Sequence, residues 1–381
     1  MGWKSINIIF AHQGEMAEWS NAAVLKTVEG HTSGGSNPSF SAFKFPNVFI
    51  INVLGFFNIY FYTIFVKIYI LKLFIQILRF IRITQKKTLL FTAIFAFVSC
   101  QQSNEKINNQ WDDFVEFREG NIPLIIVAPH GGDLKPQWIE NRDCEGSVIT
   151  KDLYTLDIAF QIENELNKMG YQPFIVYAKI HRIKLDLNRS LQTSHCEDDT
   201  SNELWQLFHD QIFTFRQEII NKYNRGLLID IHGHGHPIQR IELGYLLNSQ
   251  KLRELSGNKT SIQHNETSIN SLIENHPENK KLGDLLFGDY SLGSLLSKNG
   301  FPTVPSSTDP APKSDEPFFS GGTNTKNYGS KYQNGVDAIQ LELNRNGLRQ
   351  DSEDRGRFSK VFAKILIDYM KFHYSDIFPS N

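Results

Sequence analysis

The chain of 381 residues is 40% hydrophobic and 21% charged, with 39 Lys and Arg against 41 Asp and Glu, the balance of ordinary globular matter in one or two domains. This composition excludes a disordered or collagen-like chain and leaves no basic tail for a polyanion, so nucleic acid is not expected as a partner. Three cysteines are too few for a disulfide scaffold and match no zinc-ribbon spacing, so any metal site must draw on His and carboxylate. Cys144 and Cys196 have two readings, a pair formed after export or two free thiols.

The near-neutral total hides a split, because residues 1–99 hold nine basic and three acidic side chains. Residues 1–45 have neither helical nor strand periodicity, and GEMAEWSNAAVLKTVEGHTSGGSNPSFSA resembles the peptide that results when a bacterial tRNA gene is translated in frame. This part is expected to be spurious. Residues 46–99 form a hydrophobic segment in which Phe45 to Val66 carries no charge and has the length of a membrane-spanning helix, as a rival reading. Lys86-Lys87, an apolar run from Thr88 to Ser99, then Cys100 and polar QQSNEK, have the layout of a bacterial lipoprotein signal at residues 84–99. Lipidation at Cys100 would then anchor the protein to a membrane of the cell envelope. Residues 100–120 are expected to be a linker and residues 121–381 one catalytic domain.

From Asn121 onward, apolar β runs alternate with amphipathic helical stretches, the pattern of an α/β domain with a mixed, mostly parallel sheet and helices on both faces. Pro123 to Ala128 reads as a buried strand that stops at Pro129-His130-Gly131-Gly132. Lys151 to Met169 reads as a helix, Pro173 to Ala178 as a strand, and Ser201 to Tyr223 as a long amphipathic helix. Gly226 to Ile231 is a second apolar strand, which ends in His232-Gly233-His234-Gly235-His236. Ser249 to Lys281 is polar, as a surface excursion would be. Ala338 to Leu343 is a third buried strand, and Arg357 to Phe372 is a closing helix.

Polar residues gather where these strands stop, and in an open α/β sheet the carboxyl ends of the strands are where ligands bind. His130 and Asp133, three apart on a Gly-rich turn, can reach one ion, and His232 lies just past the strand that carries Asp230. Two His, one carboxylate and an open fourth position would make a hydrolytic zinc centre. Asp230 is a candidate to orient a ligand histidine from behind, and His234 is another. After the strand ending at Ala178, Arg182, Asn188 and Arg189 can clamp a substrate carboxylate and donate to an oxyanion. Glu342 sits inside Ile339-Gln340-Leu341-Glu342-Leu343, where a carboxylate is costly unless it is paired or close to a cation. A general base beside a metal would explain it.

Taken in order, PHGG, D-x-x-T-x-x-I-A at Asp152 to Ala159, R-x-x-x-D-L-N-R, D-I-H-G-H, F-S-G-G-T-N-T at Phe319 to Thr325 with Tyr328-Gly329, and Q-L-E-L-N-R resemble the N-formylglutamate amidohydrolase-like family. That family is related to the zinc carboxypeptidases and the aspartoacylase-type hydrolases, and the resemblance covers roughly residues 121–369. It implies a phosphorylase/hydrolase-like fold and zinc held by His130, His232 and an acidic residue. Asp133 fits the carboxypeptidase-like spacing and is preferred; Asp152, which opens the segment shared with the amidohydrolases, is the other choice. By the same resemblance Glu342 activates the water, Arg182 stabilises the oxyanion, and Asn188, Arg189, Gly321, Gly322 and Tyr328 bind substrate. Thr323, Asn324 and Lys326 depart from the family's glycine loop, which leaves the substrate open. The expected activity is hydrolysis of amide bonds in N-acyl amino acids or related small carboxylate-bearing amides. The alternatives are a carboxypeptidase-like or cell-wall-peptide amidase, and a surface lipoprotein that binds without catalysis.

Overall fold

A computed structural model of the chain describes residues 111–196, 198–257 and 265–379, together with residue 72. The expectations for residues 1–45, for Phe45 to Val66, and for the signal at 84–99 with Cys100 lie outside the described residues. Among the described residues no helix is long and apolar enough to cross a membrane. Glu105–Asn381 is a unit of its own.

In chain order the elements are β1 (Val115–Arg118), β2 (Leu124–Ala128), α1 (Thr155–Lys168), β3 (Phe174–Ala178), α2 (Leu191–Ser194), α3 (Asn202–Tyr223), β4 (Gly226–Gly233) and β5 (Ile241–Gly244). They continue with α4 (Ser249–Ser256), α5 (Asn270–Asn275), α6 (Leu282–Phe287), α7 (Leu292–Lys298), β6 (Thr303–Val304), α8 (Thr323–Tyr328), β7 (Val336–Leu343) and α9 (Ser352–His373). The seven strands form one sheet in the order β1-β3-β2-β4-β7-β5-β6. The central run β3-β2-β4-β7 is parallel, β1 and β5 join antiparallel, and β6 pairs parallel with β5. The expected α/β class, mixed and mostly parallel, is the architecture found.

Both faces of the sheet are covered, which is why its central strands read as unbroken apolar runs. Ile229, Ile231, Ile339 and Leu341 face one core with Ile158 and Ile162 of α1 and Phe358, Phe362 and Leu366 of α9. Leu228, Val336 and Ala338 face the other, against Phe208, Ile212 and Phe215 of α3. Successive residues alternate faces, so Asp230 and His232 continue the row begun by Leu228, and Gln340 and Glu342 the row begun by Ala338. The α3 face is thus apolar at the foot of these strands and polar at their carboxyl ends. That change of character makes the site.

Three expectations are corrected. The linker at 100–120 already contains β1, which pairs with β3, and a buried Trp111. β4 runs on to Gly233, so His232 lies in the ladder directly opposite Glu342. The stretch 249–281 is no simple surface excursion: it carries α4 and α5 and buries Leu252, Ile269 and Leu272 against the first core.

Candidate metal centre and pocket

His130 emerges from β2 through a turn that presses on the strand beside it. A β-carbon on Gly132 would stand 2.3 Å from the carbonyl carbon of Lys179, so the turn requires glycine there. The backbone N–H of Asp152 donates to the carbonyl of His130 at 3.0 Å, which carries the entry to α1 back over the end of β2. Asp152 Oδ2 lies 3.1 Å from His232 Nδ1 and 3.5 Å from His130 Nδ1, and it accepts the Gly233 N–H at 3.1 Å. His130, Asp152 and His232 thereby offer three ligand atoms within 4.8 Å of one another, all shielded from solvent.

The second nitrogen of each ring is turned to a different buried carboxylate. His130 Nε2 lies 2.7 Å from Asp186 Oδ1, and His232 Nε2 lies 3.1 Å from Asp230 Oδ2. With Nε2 so occupied, Nδ1 of His130 makes no hydrogen bond although it is buried, the kind of orphan that asks for a ligand. Tetrahedral zinc with bonds of about 2.0–2.1 Å has ligand–ligand edges of about 3.3 Å, close to the spacings found about Asp152. A pair of His braced from behind by carboxylates, with one carboxylate and an open position in front, fits a divalent metal.

Charge in this cluster is arranged in layers. Burial acts to raise the carboxyl pKa of Asp152, but the His130 and His232 rings set against it outweigh burial and hold it below the ordinary range. Asp186 behaves in the same way: burial is overcome by His130 and by the Arg182 and Arg142 guanidinium groups. Burial disfavours a charged His232, yet Asp230, Asp152 and Glu342 together raise its pKa well above the usual imidazole value. Glu342 is the exception among the acids. Burial pushes it up to about 8, and Asp152, Glu242 and Asp230 add to the effect that His232 only partly offsets. Gln340 Nε2 donates to its Oε1 at 2.8 Å.

A cavity of about 510 Å³ opens over the cluster, and Glu342, Arg182, Asn188, Arg189, Gly321 and Gly322 line it with the three ligand residues. Arg182 is tied by Nε to Asp186 at 2.9 Å, with Nη1 3.6 Å from Asp152. Arg189 is half exposed at the mouth. Asn188 braces the glycine loop: its Oδ1 accepts the Asn324 N–H at 2.8 Å, and its Nδ2 lies beside His232 Nε2 at 3.2 Å. A β-carbon on Gly322 would stand 2.4 Å from Asn188 Nδ2, so any side chain there would dislodge that brace. Lys326 adds a cation to the lining.

Not every expected residue reaches the site. Asp133, preferred on spacing as the acidic ligand, has an 80% exposed side chain that pairs with Lys151, and Asp152 stands in the cluster instead. Three residues along the Gly-rich turn, the chain has already swung out to solvent. Tyr328 turns away from the cavity at the end of α8 and bonds His209 of α3 at 2.6 Å. His234 braces its own loop: its Nε2 meets the Arg240 carbonyl at 2.8 Å and its Nδ1 accepts the His236 N–H at 3.1 Å. A second group of possible ligands, His234, His236 and Glu242, is hydrogen-bonded in the same region, His236 Nδ1 lying 2.8 Å from Glu242 Oε1.

Asp186, Gln340 and Arg349 are contributors that the motifs did not single out. Arg349 is buried and joins three pieces of the site frame, donating to the carbonyls of Leu343, Leu153 and His234 at 2.9, 2.5 and 2.8 Å. Cys144 and Cys196 form a disulfide, Cα–Cα 5.7 Å, beside the loop whose Val148 lines the cavity.

An α/β sheet that brings two histidines and one aspartate within ligand distance of one another, over the carboxyl ends of its parallel strands, makes a candidate metal centre. No protein-family model and no curated protein matches the chain. Among solved structures, it is similar to N-formylglutamate amidohydrolase from Ralstonia eutropha JMP134, with 10% identity and a TM-score of 0.43 over 69% of this chain and 98% of that one. It is also similar to a gene product from Agrobacterium tumefaciens, at 13% identity and a TM-score of 0.41 over 70% and 96% of the two chains. A third likeness is to the apo form of an N-acetylmuramyl-L-alanine amidase from Mycobacterium abscessus, at 11% identity and a TM-score of 0.30 over 65% and 98%.

Proposed function

We propose that the protein is a zinc-dependent hydrolase of amide bonds in small N-acyl amino acids. The observation that carries this reading is the placement of Glu342: a buried carboxylate of raised pKa, directly opposite the ligand histidine His232 in the ladder, and facing the same cavity as the cluster. Zinc held by His130, Asp152 and His232 would supply Lewis-acid polarisation of a carbonyl and a water of lowered pKa. Glu342 accepts the proton of the attacking water and delivers it to the leaving nitrogen. Arg182, anchored by Asp186, donates to the oxygen that gains charge in the tetrahedral transition state. Arg189 holds the carboxylate of the substrate at the mouth, where a guanidinium can bind it through two parallel hydrogen bonds.

The Cys144–Cys196 disulfide supports export to an oxidising compartment; anchoring through a lipid at Cys100 is a further part of the proposal. The test is release of free amine from a panel of N-acyl amino acids by the zinc-loaded full chain. Absence of release across the panel, with zinc bound, would remove the proposal.

A further inference from the structure

Two apolar side chains, Leu246 and Phe319, stand at the cavity. Leu246, two residues after β5, has φ 64, the left-handed region that a residue with a β-carbon avoids. Its N–H donates to the Ser320 carbonyl at 2.6 Å, which fixes it against the glycine loop. A β-carbon on Gly321, itself at φ +126, would stand 2.8 Å from Leu246 Cδ2. Phe319 is 45% exposed and yet held at two points. Its N–H donates to Glu242 Oε2 at 2.8 Å, and its ring stacks on the His236 imidazole with centroids 4.5 Å apart. His236 is in turn fixed by Glu242 Oε1 at 2.8 Å. An exposed phenyl ring stacked on a histidine, on a backbone tied to a buried glutamate, is preorganised to meet something apolar.

The sheet order says on which side of the cluster this wall lies. Arg182 and Arg189 follow β3, and the ligand residues stand over β2 and β4. Leu246 and Phe319 belong to the β5 side, beyond β7 and Glu342. A substrate whose carboxylate meets Arg189 and whose carbonyl lies over the cluster, beside Arg182, must extend its acyl group towards Leu246 and Phe319. Resting on the amide-hydrolase reading above, we infer that the substrates are amino acids N-acylated with a bulky apolar group, a medium-length aliphatic or aromatic acyl chain, and that Phe319 and Leu246 select it. A formyl group would leave both side chains facing water.

The test is a ladder of formyl-, acetyl-, hexanoyl- and benzoylglycine. Each is measured for turnover by the zinc-loaded full chain and for binding by calorimetry to the full chain with and without zinc. Filling an apolar pocket separates substrates by about tenfold or more, so kcat/KM and affinity are expected to rise at least that much from acetyl to hexanoyl. Phe319→Ala should lose about tenfold more on hexanoylglycine than on formylglycine. Leu246→Gly, which relieves the left-handed backbone while removing the side chain, should show the same skew in a fold at least as stable as the parent. A binding ladder that is flat, or that favours formyl, overturns the inference even where amides are hydrolysed. A rising ladder that both variants flatten, without any turnover, sustains the apolar wall and removes the hydrolase reading instead.

Discussion

Asp186 determines which nitrogen of His130 faces the cluster. Because its Oδ1 lies 2.7 Å from Nε2, the ring presents Nδ1 to Asp152, and the same carboxylate holds Arg182 through Oδ2 at 2.9 Å. One buried aspartate thus orients a metal ligand and the cation proposed for the oxyanion. Carboxylates behind ligand histidines are worth about 10–100-fold in metal affinity or activity. Asp186→Asn is expected to weaken zinc binding by that order in a competition titration with a chromogenic chelator. Unchanged affinity would mean that the contact only packs.

The identity of the acidic ligand is open to direct measurement. Elemental analysis at stoichiometric zinc should give about one metal per chain in the parent and in Asp133→Ala, whose carboxylate lies in solvent. His130→Ala, His232→Ala and Asp152→Ala should each lose it, because a two-ligand remnant cannot compete with water. Retention in both histidine variants would remove the site.

Glu342→Gln separates a general base from a structural acid. The glutamine keeps the shape and the contact with Gln340 but accepts no proton, so turnover should fall about 10²–10⁴-fold while zinc content and melting temperature hold. A fall in melting temperature together with loss of zinc would make Glu342 a packing residue, and unimpaired turnover would exclude it from proton transfer.

At the opposite end of β7, Asp337 is buried among Tyr374, Ser330 and the Leu272 N–H, and burial raises its pKa from 3.8 to about 7. The unfolded chain gives up this proton near pH 4 while the fold keeps it to about 7. Unfolding therefore releases a proton in that window, and stability falls as the pH rises through it. The drop amounts to a few kcal/mol on the order of magnitude of such shifts. Urea unfolding of Asp337→Asn between pH 4 and 7 should show a flatter profile than the parent. Parallel profiles would assign the slope to other groups.

The main frame of the domain could be read from its residues because β2, β4 and β7 are covered on both sides and advertise themselves as apolar runs. Strands of two to four residues are too short for a period to emerge, so β1, β5 and β6 could not be read from the sequence. The metal cluster was half visible. His130 and His232 lie at strand ends that periodicity can find, whereas Asp152 is brought to His130 by a backbone hydrogen bond across the 21 intervening residues. Nothing local distinguishes it from Asp133. Asp186 was seen only as part of an arginine-rich segment, since its burial depends on Leu185 and Leu187 packing into the second core. Tyr328 followed from a family motif, but the direction of its side chain is decided by His209, more than a hundred residues away in sequence.

The bond between Cys144 and Cys196 closes a covalent ring, and the ring contains Asp152, Arg182, Asp186, Asn188 and Arg189. Closing a loop with a sequence separation of 52 residues restricts the unfolded chain by about 4 kcal/mol in the loop-entropy account. It also changes what a protease can do. Glu145 and Gly146 lie exposed within the ring, and a cut there leaves both fragments joined, with these five residues still attached to the rest of the site. A nicked molecule would keep its mass on a non-reducing gel and come apart only when a thiol is added, so resistance to damage at this mouth is a property of the oxidised protein alone.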